Sequence, residues 1–418
     1  MAEIEPLRAL HYNLAKTGGL QEVIAPPYDV IDSAQRSRLE GLSPYNVVRI
    51  DLPLGHDPYE AAAHELNSWR EAGVIVQDDH PALWALEQEY VGPDGQRRAR
   101  RGFLARVRVE DYGPGRIRPH ERTHPGPKED RLRLTRATKA NLSPIFALFS
   151  DPEGSAWKAL APSTSEPPWG QAVDQDATED RLWRITDPTA IAEVQEAVKN
   201  AELLIADGHH RYETARTYAD ELGGDGPHRY VLMDLVALQD PGLTVFPTHR
   251  LLRALTSEQQ EALANGIREH FDIEPLNGLD ELAPPADPDA VRFGYVDSHF
   301  RRSFRLTLSD QAAVDAALPD KSDAYRHLDT AVLETLILKG TLGMSDHDID
   351  ELRQLGYARD TANAIELVTS GEYDAAFLTA PVPIERVQAI AAAGESMPPK
   401  STYFFPKVPT GLIFNPLT

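Results

Sequence analysis

The sequence predicts a mixed α/β fold of the α+β kind, and two stretches of the chain carry this prediction. From Pro188 to Leu238, a helix, a short apolar strand, an Asp-Gly turn, a second helix and a second strand follow one another. This order is typical of domains in which helices pack against a sheet. Residues 82–110 form two pleated runs around a Pro-Asp-Gly turn signal, and they predict a β-hairpin.

The N-terminal half is predicted to contain further strands and helices. The first fifty residues predict strand, helix, strand, with the second strand in NVVRIDLPL, and a helix is expected from Tyr59 to Ala72. Residues 114–144 hold many of the basic side chains in a polar loop. The proline-rich stretch from Pro152 to Asp180 predicts an exposed linker or insertion.

The C-terminal half predicts a second α/β domain. Beyond Leu255 the composition becomes more acidic, and a hairpin (VRFGYVD with RRSFRLTL), long helices near 324–339 and 360–370, a strand and a last helix are expected. We therefore expect one domain over residues 1–255, with an insertion at about 75–180, and another over 256–418. The apolar, aromatic tail is expected to dock onto the body of the protein.

Composition excludes several classes of protein. The 65 acidic and 42 basic side chains give a net charge of −23, so binding to nucleic acid or to a membrane surface is not expected. Without cysteine there is no disulfide framework, thiolate metal site or thiol nucleophile. No apolar run of membrane-spanning length and no basic signal segment is evident, so a cytoplasmic location is expected.

The strongest motif is LLIADGHHRYETA, residues 203–215. An apolar strand leads to Asp207 and Gly208, and His209, His210 and Arg211 then begin a helix. A helix N-terminus carries a partial positive charge, so imidazoles and a guanidinium in its first turn predict a phosphate-binding pocket. The alternative is a helix capped by Asp207 with solvated histidines. It is disfavoured because three such side chains oppose the helix dipole.

The second motif is PHERTHPGPKEDR, residues 119–131. His120 and Glu121 suggest general acid/base or metal-water chemistry, and Lys128 and Arg131 suggest phosphate neutralisation. A solvated charged loop is the alternative. The spacing matches no zinc signature.

Three further motifs are weaker. In IAPPYDVID, two prolines hold Asp29 in a rigid turn, although Asp32 as a helix N-cap explains part of the pattern. FPTHRLL presents His249 and Arg250. The C-terminal segment MPPKSTYFFPKVPTGLIF includes Lys407, and a structural tail is at least as good an interpretation of it as a site.

These five blocks together resemble a widespread prokaryotic family of unknown function (domain of unknown function 1015), over nearly the whole chain. The block at 207–215 also resembles the signature of the ParB/sulfiredoxin-like fold, which implies a nucleotide-binding core. Sulfiredoxins need a cysteine in this turn and ParB proteins add a basic DNA-reading domain, and this chain has neither feature. Free serine kinases carry a turn very similar to this Asp-Gly-His-His-Arg turn.

The resemblance implies phosphoryl transfer from ATP or ADP to a small hydroxyl metabolite, with serine first. His209, His210, Arg211, Lys128 and Arg131 would hold the phosphates, with His249 and Arg250 as further candidates. Mg²⁺ would be held through Asp207 and Asp29. Glu121 is the expected base, with Asp29 second and His120 beside it. A phosphoester phosphatase and a non-catalytic nucleotide-binding regulator remain open, as does a homo-oligomer.

Overall fold

The protein is described by a computed structural model that covers residues 3–92, 95–121, 125–285, 287, 290–299 and 302–418. The described residues divide into two compact units. Unit 1 comprises those within 1–119, 123–243 and 406–418, and unit 2 those within 120–122 and 244–405. The chain thus leaves unit 1 after Leu243, returns to it at Pro406 and ends there, whereas the sequence predicted a boundary near 255 and placed the tail in the second domain.

Unit 1 is built from twelve strands, a thirteenth in the tail and eight helices among the described residues. The strands are β1 Ile4–Glu5, β2 Leu10–Tyr12, β3 Ile75–Gln77, β4 Leu83–Val91, β5 Arg97–Arg108, β6 Ile117–Arg118, β7 Ala140–Asn141, β8 Ile145–Phe149, β9 Gly170–Val173, β10 Glu179–Ile185, β11 Leu203–Asp207 and β12 Tyr230–Ala237. The helices are α1 Leu14–Thr17, α2 Ser33–Leu42, α3 Val48–Asp51, α4 Pro58–Glu71, α5 Pro125–Thr138, α6 Ser155–Thr164, α7 Pro188–Val198 and α8 His209–Leu222.

The main sheet of unit 1 has the strand order β6-β11-β8-β12-β5-β4-β10-β9, and β1 pairs with β5. It is mixed, because β8 runs parallel to β12 whereas β4 and β5 form the predicted antiparallel hairpin. Helices α6, α7 and α8 pack on one face and bury residues such as Leu160, Val194 and Tyr212 with Phe103 of β5. The predicted mixed α/β class is confirmed.

The opposite face of this sheet carries a buried polar row. Asp180 of β10, Gln88 of β4 and Arg100 of β5 lie side by side in register, and each is about 1% exposed. The Gln88 amide donates to the Asp180 carboxylate at 2.7 Å and to the main-chain carbonyl of Lys407 at 3.1 Å. The sheet therefore holds the backbone of the C-terminal segment in place.

Unit 2 is a second α/β unit. Its strands are β13 Thr244–Phe246, β14 His249–Leu252, β15 Phe271–Pro275, β16 Arg292–Asp297, β17 Ser303–Leu308, β18 Leu355–Ala358, β19 Ala375–Leu378 and β20 Tyr403–Phe405. Its helices are α9 Ser257–His270, α10 Gln311–Ala317, α11 Asp323–Arg326, α12 Asp329–Val332, α13 Asp346–Asp350, α14 Thr361–Thr369 and α15 Ile384–Ala392, with a π-helix at Leu333–Thr341. The larger sheet is antiparallel, in the order β15-β17-β16-β19-β14-β18.

Several sequence expectations were wrong. The strand expected in NVVRIDLPL is the short helix α3, because the Asn46 amide is anchored on two carbonyls and its side-chain oxygen accepts the N–H of Val48 at 3.0 Å. This side chain offers the backbone a turn in place of a strand. The single long helix expected near 324–339 is divided into α11, α12 and the π-helix.

The expected linker at 152–180 contains α6, β9 and the start of β10. Asp151 caps α6 by accepting the N–H groups of Ser155 and Ala156, both at 2.9 Å, and Leu160 is fully buried in the core of unit 1. The sequence did not predict this helix because its buried face consists mainly of alanine, and most of its other residues are small or polar. None of the helices among the described residues combines the length and apolar character that a membrane crossing requires.

The tail is part of the structure of unit 1. Phe414 exchanges two main-chain hydrogen bonds with Leu10, and a last strand, β21 Asn415–Pro416, pairs with β7. Leu412, Ile413 and Phe414 are fully buried. Residues 406–418 therefore contribute core side chains as well as the lysine described below.

Candidate active site

The site of unit 1 is organised by the glycine turn between β11 and α8. Gly208 has a φ of +96°, a conformation that L side chains avoid. A Cβ at this position would lie 2.9–3.0 Å from the guanidinium of Arg211. The helix that follows has 14 residues and no side-chain cap. The alternative in which Asp207 caps this helix is therefore excluded, and the positive end of α8 faces the Asp207 turn.

The carboxylate of Asp207 is shared by two cations. One oxygen accepts from Arg211 at 2.6 Å, and the other accepts from Lys407, which lies 200 residues away in the tail. Only about 15% of the Asp207 side chain is exposed, and 14% of that of Lys407. Burial by itself raises the pKa of Asp207, but the charges of Lys407 and Arg211 outweigh it and hold this pKa well below its ordinary value.

Arg211 ties the helix start to neighbouring loops. Its Nη1 donates to the Ser143 hydroxyl at 2.6 Å and to the carbonyl of Pro144, and Ser143 in turn accepts from the Thr410 hydroxyl at 2.9 Å. Thr410 also exchanges main-chain hydrogen bonds with Ala25 of the APPYD motif. The APPYD, Asp-Gly-His-His-Arg and PKVPTG segments therefore meet within unit 1.

Arg131 forms a second buried cation of unit 1. Its guanidinium pairs with Asp51 at 3.1 Å and with Asp130 at 2.6 Å, and it lies 4.2 Å from the ring centre of Tyr28. Burial raises the pKa of Asp51 although Arg131 opposes the shift, and burial raises the pKa of Tyr28 to about 12 against the charges of Arg211 and Arg131. Tyr28, Asp51, Arg131 and Arg211 line one cavity of about 40 Å³.

The remaining unit 1 candidates lie on α5, at the start of α8 and in the APPYD turn. Lys128 lies on α5, which packs against α8, and its carbonyl accepts from Thr214 at 3.4 Å. The loop expected around Lys128 and Arg131 is in fact the helix α5, because Leu132 packs against Tyr218 of α8 and Leu417 of the tail. His209 is buried and His210 is half-buried at the start of α8, and Asp29 is exposed in a 3-10 turn.

A cavity of about 210 Å³ lies beside Lys407. Residues Ile24–Pro27 form one wall, Asp174 to Asp176 form another, and Lys407 and Pro409 complete it. Burial raises the pKa of Asp174 to about 6, although the N–H groups of Thr178 and Asp176 favour its ionised form. The cavity therefore combines rigid proline walls with a cation and carboxylates.

The two catalytic candidates His120 and Glu121 belong to unit 2. The His120 ring hydrogen-bonds the Thr402 hydroxyl at 2.9 Å and packs edge-on against Phe404. The His120 carbonyl accepts the N–H of Met397 at 2.8 Å, and Glu121 forms a β-bridge with Met397. The PHE motif is therefore joined to the MPPKSTYF segment, whereas the candidates at Asp207, Lys128 and Arg131 belong to unit 1. His124 of the PHERTH motif lies outside the described residues.

His249 and Arg250 have structural contacts within unit 2. The N–H of Thr379 donates to Nδ1 of His249 at 3.2 Å, and burial with the nearby Arg250 charge lowers the His249 pKa to about 4, so the ring is neutral. The Arg250 guanidinium donates to the carbonyls of Thr248, Lys400 and Pro399 at 2.5–3.0 Å. Neither set of contacts supports the phosphate role expected for these two residues.

A resident metal ion does not fit the residues present. Among the described residues, no group of three or more histidine, aspartate and glutamate side chains is arranged to hold one. Both oxygens of Asp207, the expected magnesium ligand, are occupied by cations. Asp29, the other expected magnesium ligand, is exposed in its 3-10 turn.

Lys407 is the residue that sequence reasoning noticed but did not place in the site. Its motif contained lysine, threonine and glycine near the terminus, which is a polar signal within an apolar tail. Asp51, Ser143 and Thr410 gave no such signal. Gly411 has a φ of +95°, and a Cβ there would lie 3.1 Å from Val47, so the close approach of the tail requires glycine.

Comparison with known proteins gives one family and several distant structures. A family model described as "Protein of unknown function (DUF1015)" matches residues 4–331. No match was found among curated proteins. Similar solved structures include a conserved hypothetical protein from Pyrococcus furiosus (15% identity, TM-score 0.36, 71% of this chain and 90% of that chain). Two others are a mutant free serine kinase in complex with AMP (16%, 0.38, 69% and 84%) and SbnI with C-terminal truncation from Staphylococcus aureus (11%, 0.37, 73% and 87%).

Proposed function

Because the chain belongs to the DUF1015 family of proteins of unknown function, its activity has to be inferred from its own residues, and we propose a nucleotide-dependent phosphotransferase. The acceptor is a small hydroxyl metabolite, with free serine first. Phosphoryl transfer needs groups that position phosphates and neutralise their charge. The site of unit 1 offers such groups in a half-buried setting, where charges are screened less than at the surface.

One observation carries the proposal: two cations, Lys407 and Arg211, converge on the single carboxylate of Asp207 at the start of α8. Both cations therefore lie beside the positive end of a helix. This combination favours an anion with several acceptor oxygens. The phosphate-rich ligand that the sequence motif implies satisfies this requirement.

The contacts of these residues indicate a different role for each. Arg211 is held by Ser143 and Pro144, so its main role is to fix the turn and orient Asp207. Lys407 has a flexible stem and a compact charge, and it borders the cavity next to Pro26 and Pro27. We assign Lys407 to the transferred phosphate, and Lys128 with His210 to the remaining phosphates.

Glu121, the base that the sequence resemblance implies, belongs to unit 2. A carboxylate that accepts the hydroxyl proton contributes about 10²–10⁴-fold to the rate. Asp29 of unit 1 is the second candidate for this role, because its turn is rigid and its carboxylate is exposed. The two candidates are distinguished by substituting each with the corresponding amide.

The test is a turnover assay with the full chain. Purified protein is incubated with ATP or ADP, Mg²⁺ and serine, and phosphoserine is followed by ³¹P NMR. We expect phosphoserine only when nucleotide and serine are both present. Release of inorganic phosphate from phosphoserine without any nucleotide indicates the phosphatase, and nucleotide binding without turnover of any hydroxyl metabolite indicates the regulatory module. Either result contradicts the proposal.

A further inference from the structure

Unit 2 contains a cavity that is separate from all the residues discussed so far. Its volume is about 640 Å³, within the ~300–1,000 Å³ that small-molecule sites usually occupy. Helix α9 forms one side, and β15, β16, β17 and the start of β19 form the other. Every described residue that lines it belongs to unit 2.

The walls of this cavity are largely apolar. Leu263 and Ile267 come from α9, Phe304 and Leu306 from β17, and Ile273 from the edge strand β15. Ile273 is 42% exposed, which is unusual for a large aliphatic side chain in a lined cavity. Covering this surface with an apolar molecule is favourable in proportion to the area removed from water.

Polar groups gather where β16 pairs with β19. Tyr295 and Asp297 lie two residues apart on the same face of β16 and share a hydrogen bond. Asp297 pairs with Ala375 of β19, and Asp374 directly precedes Ala375, so both aspartates line the same end of the cavity. One Asp374 oxygen accepts the N–H of Leu255 at 2.8 Å. Burial, with the Asp297 charge adding to it, raises the pKa of Tyr295, so the phenol keeps its proton.

The charge of the lining is negative. Among the described residues that line the cavity, three are carboxylates (Glu261, Asp297 and Asp374), one is the guanidinium of Arg268, bonded to Asn265, and one is the imidazole of His299. Glu261 and Arg268 are both exposed. Two carboxylates at the β16–β19 end attract a cation much more strongly than an anion, because they are partly shielded from water. The cavity thus combines an apolar body with an acidic end.

We propose that this cavity is a binding site for a small amphipathic amine, whose ammonium group lies beside Asp297 and Asp374 and whose apolar body lies between α9 and β17. The site does not depend on the phosphotransferase proposed for unit 1. It gives the C-terminal half a ligand of its own, so loss of phosphoserine formation and loss of amine binding are separate results.

The experiment uses the full-length protein and the uncharged dye N-phenyl-1-naphthylamine, whose fluorescence rises in apolar sites. We expect the dye to bind, and 2-phenylethylamine to displace it at about tenfold lower concentration than 3-phenylpropanoate, which has a similar body but an opposite charge. Ala264→Trp fills the cavity from α9 and should abolish dye binding. Glu269→Trp, which places the same side chain on an exposed position of α9, should not.

The charge requirement has its own pair of variants. Asp297→Asn should reduce the amine preference from about tenfold to less than about threefold. Asp272→Asn, an exposed carboxylate of β15 outside the lining, should leave it unchanged. Absence of dye binding, dye binding that persists in Ala264→Trp, or equal displacement by the amine and the carboxylate overturns the proposal. Circular dichroism of each variant establishes that it is folded.

Discussion

Replacement of Lys407 by methionine is the most direct perturbation of the unit 1 site. Methionine keeps an unbranched stem of similar length and removes only the charge. The variant retains the Arg211–Asp207 pair at 2.6 Å, so the turn keeps its main support. Arg211→Ala is a poorer choice, because it also removes the bonds to Ser143 and Pro144.

The magnitude follows from the burial of the pair. Lys407 and Asp207 are each about 15% exposed, so solvent screens the lysine only partly. A hydrogen bond to a charged group contributes about 1.5–3 kcal/mol, and each 1.4 kcal/mol is tenfold in affinity. We therefore expect Lys407→Met to weaken binding of ADP by about 10–100-fold. The measurement is isothermal titration calorimetry at constant ionic strength, since phosphate affinity falls with salt.

Two further variants decide how Lys407 acts. Lys199→Met changes an exposed lysine of α7 in the same unit, which pairs with Glu196 at 3.1 Å, and should bind ADP as the wild type does. Lys407→Met leaves the Asp207 carboxylate without its lysine partner, and the double variant Lys407→Met with Asp207→Asn removes that negative charge as well. Recovery of affinity there means that Lys407 serves only to neutralise Asp207. A change of less than about twofold in Lys407→Met, with a folded protein, refutes the phosphate role.

Three other predictions concern the rest of the chain. His249 has a pKa of about 4 in the folded protein, against 6.5 in a free side chain. Between these two pH values the folded state binds fewer protons than the unfolded state. The free energy of unfolding therefore decreases as the pH falls through this interval. Wild type should lose about 3 kcal/mol more than His249→Gln over this interval in urea unfolding, and parallel curves contradict the assignment. Asp29→Asn, which changes the candidate base of unit 1, should lower phosphoserine formation by about 10²-fold or more; an unaltered rate contradicts this assignment. Gly411→Ala should lower stability by about 1–2 kcal/mol because its φ is positive, and by more because the new methyl group contacts Val47. The control is Gly394→Ala, where φ is +73° and no neighbour lies within 4 Å. Thermal unfolding should show a larger loss of stability for Gly411→Ala than for this control.

The sequence determined those features that depend on neighbours along the chain. The strand, glycine turn and helix at 203–222 were predicted because apolar runs, an Asp-Gly pair and helical spacing are local signals. The hairpin of β4 and β5 and the N-cap of α2 by Asp32 follow from local turn and capping chemistry in the same way. The predicted positions of these elements are confirmed.

Local signals were misleading where a distant contact overrode them. The β-branched residues of α3 favour a strand, but the Asn46 side chain is held by carbonyls of Glu22 and Ile24 and imposes a turn. The basic segment that holds Lys128 is polar enough for a loop, yet Leu132 finds an apolar partner in Leu417 of the tail. In both cases the deciding residue lies far away in sequence.

Only the tertiary structure decided which charged groups share a site. Lys407 meets Asp207 across 200 residues, and Arg131 meets Asp51 across 80. Neither pairing leaves a periodic or spacing signal, because an ion pair depends on where the sheet and tail bring the chain, not on its local order. The sequence by itself placed the Asp-Gly-His-His-Arg turn between a strand and a helix. Burial within unit 1 then decided that Lys407 is the cation that accompanies it.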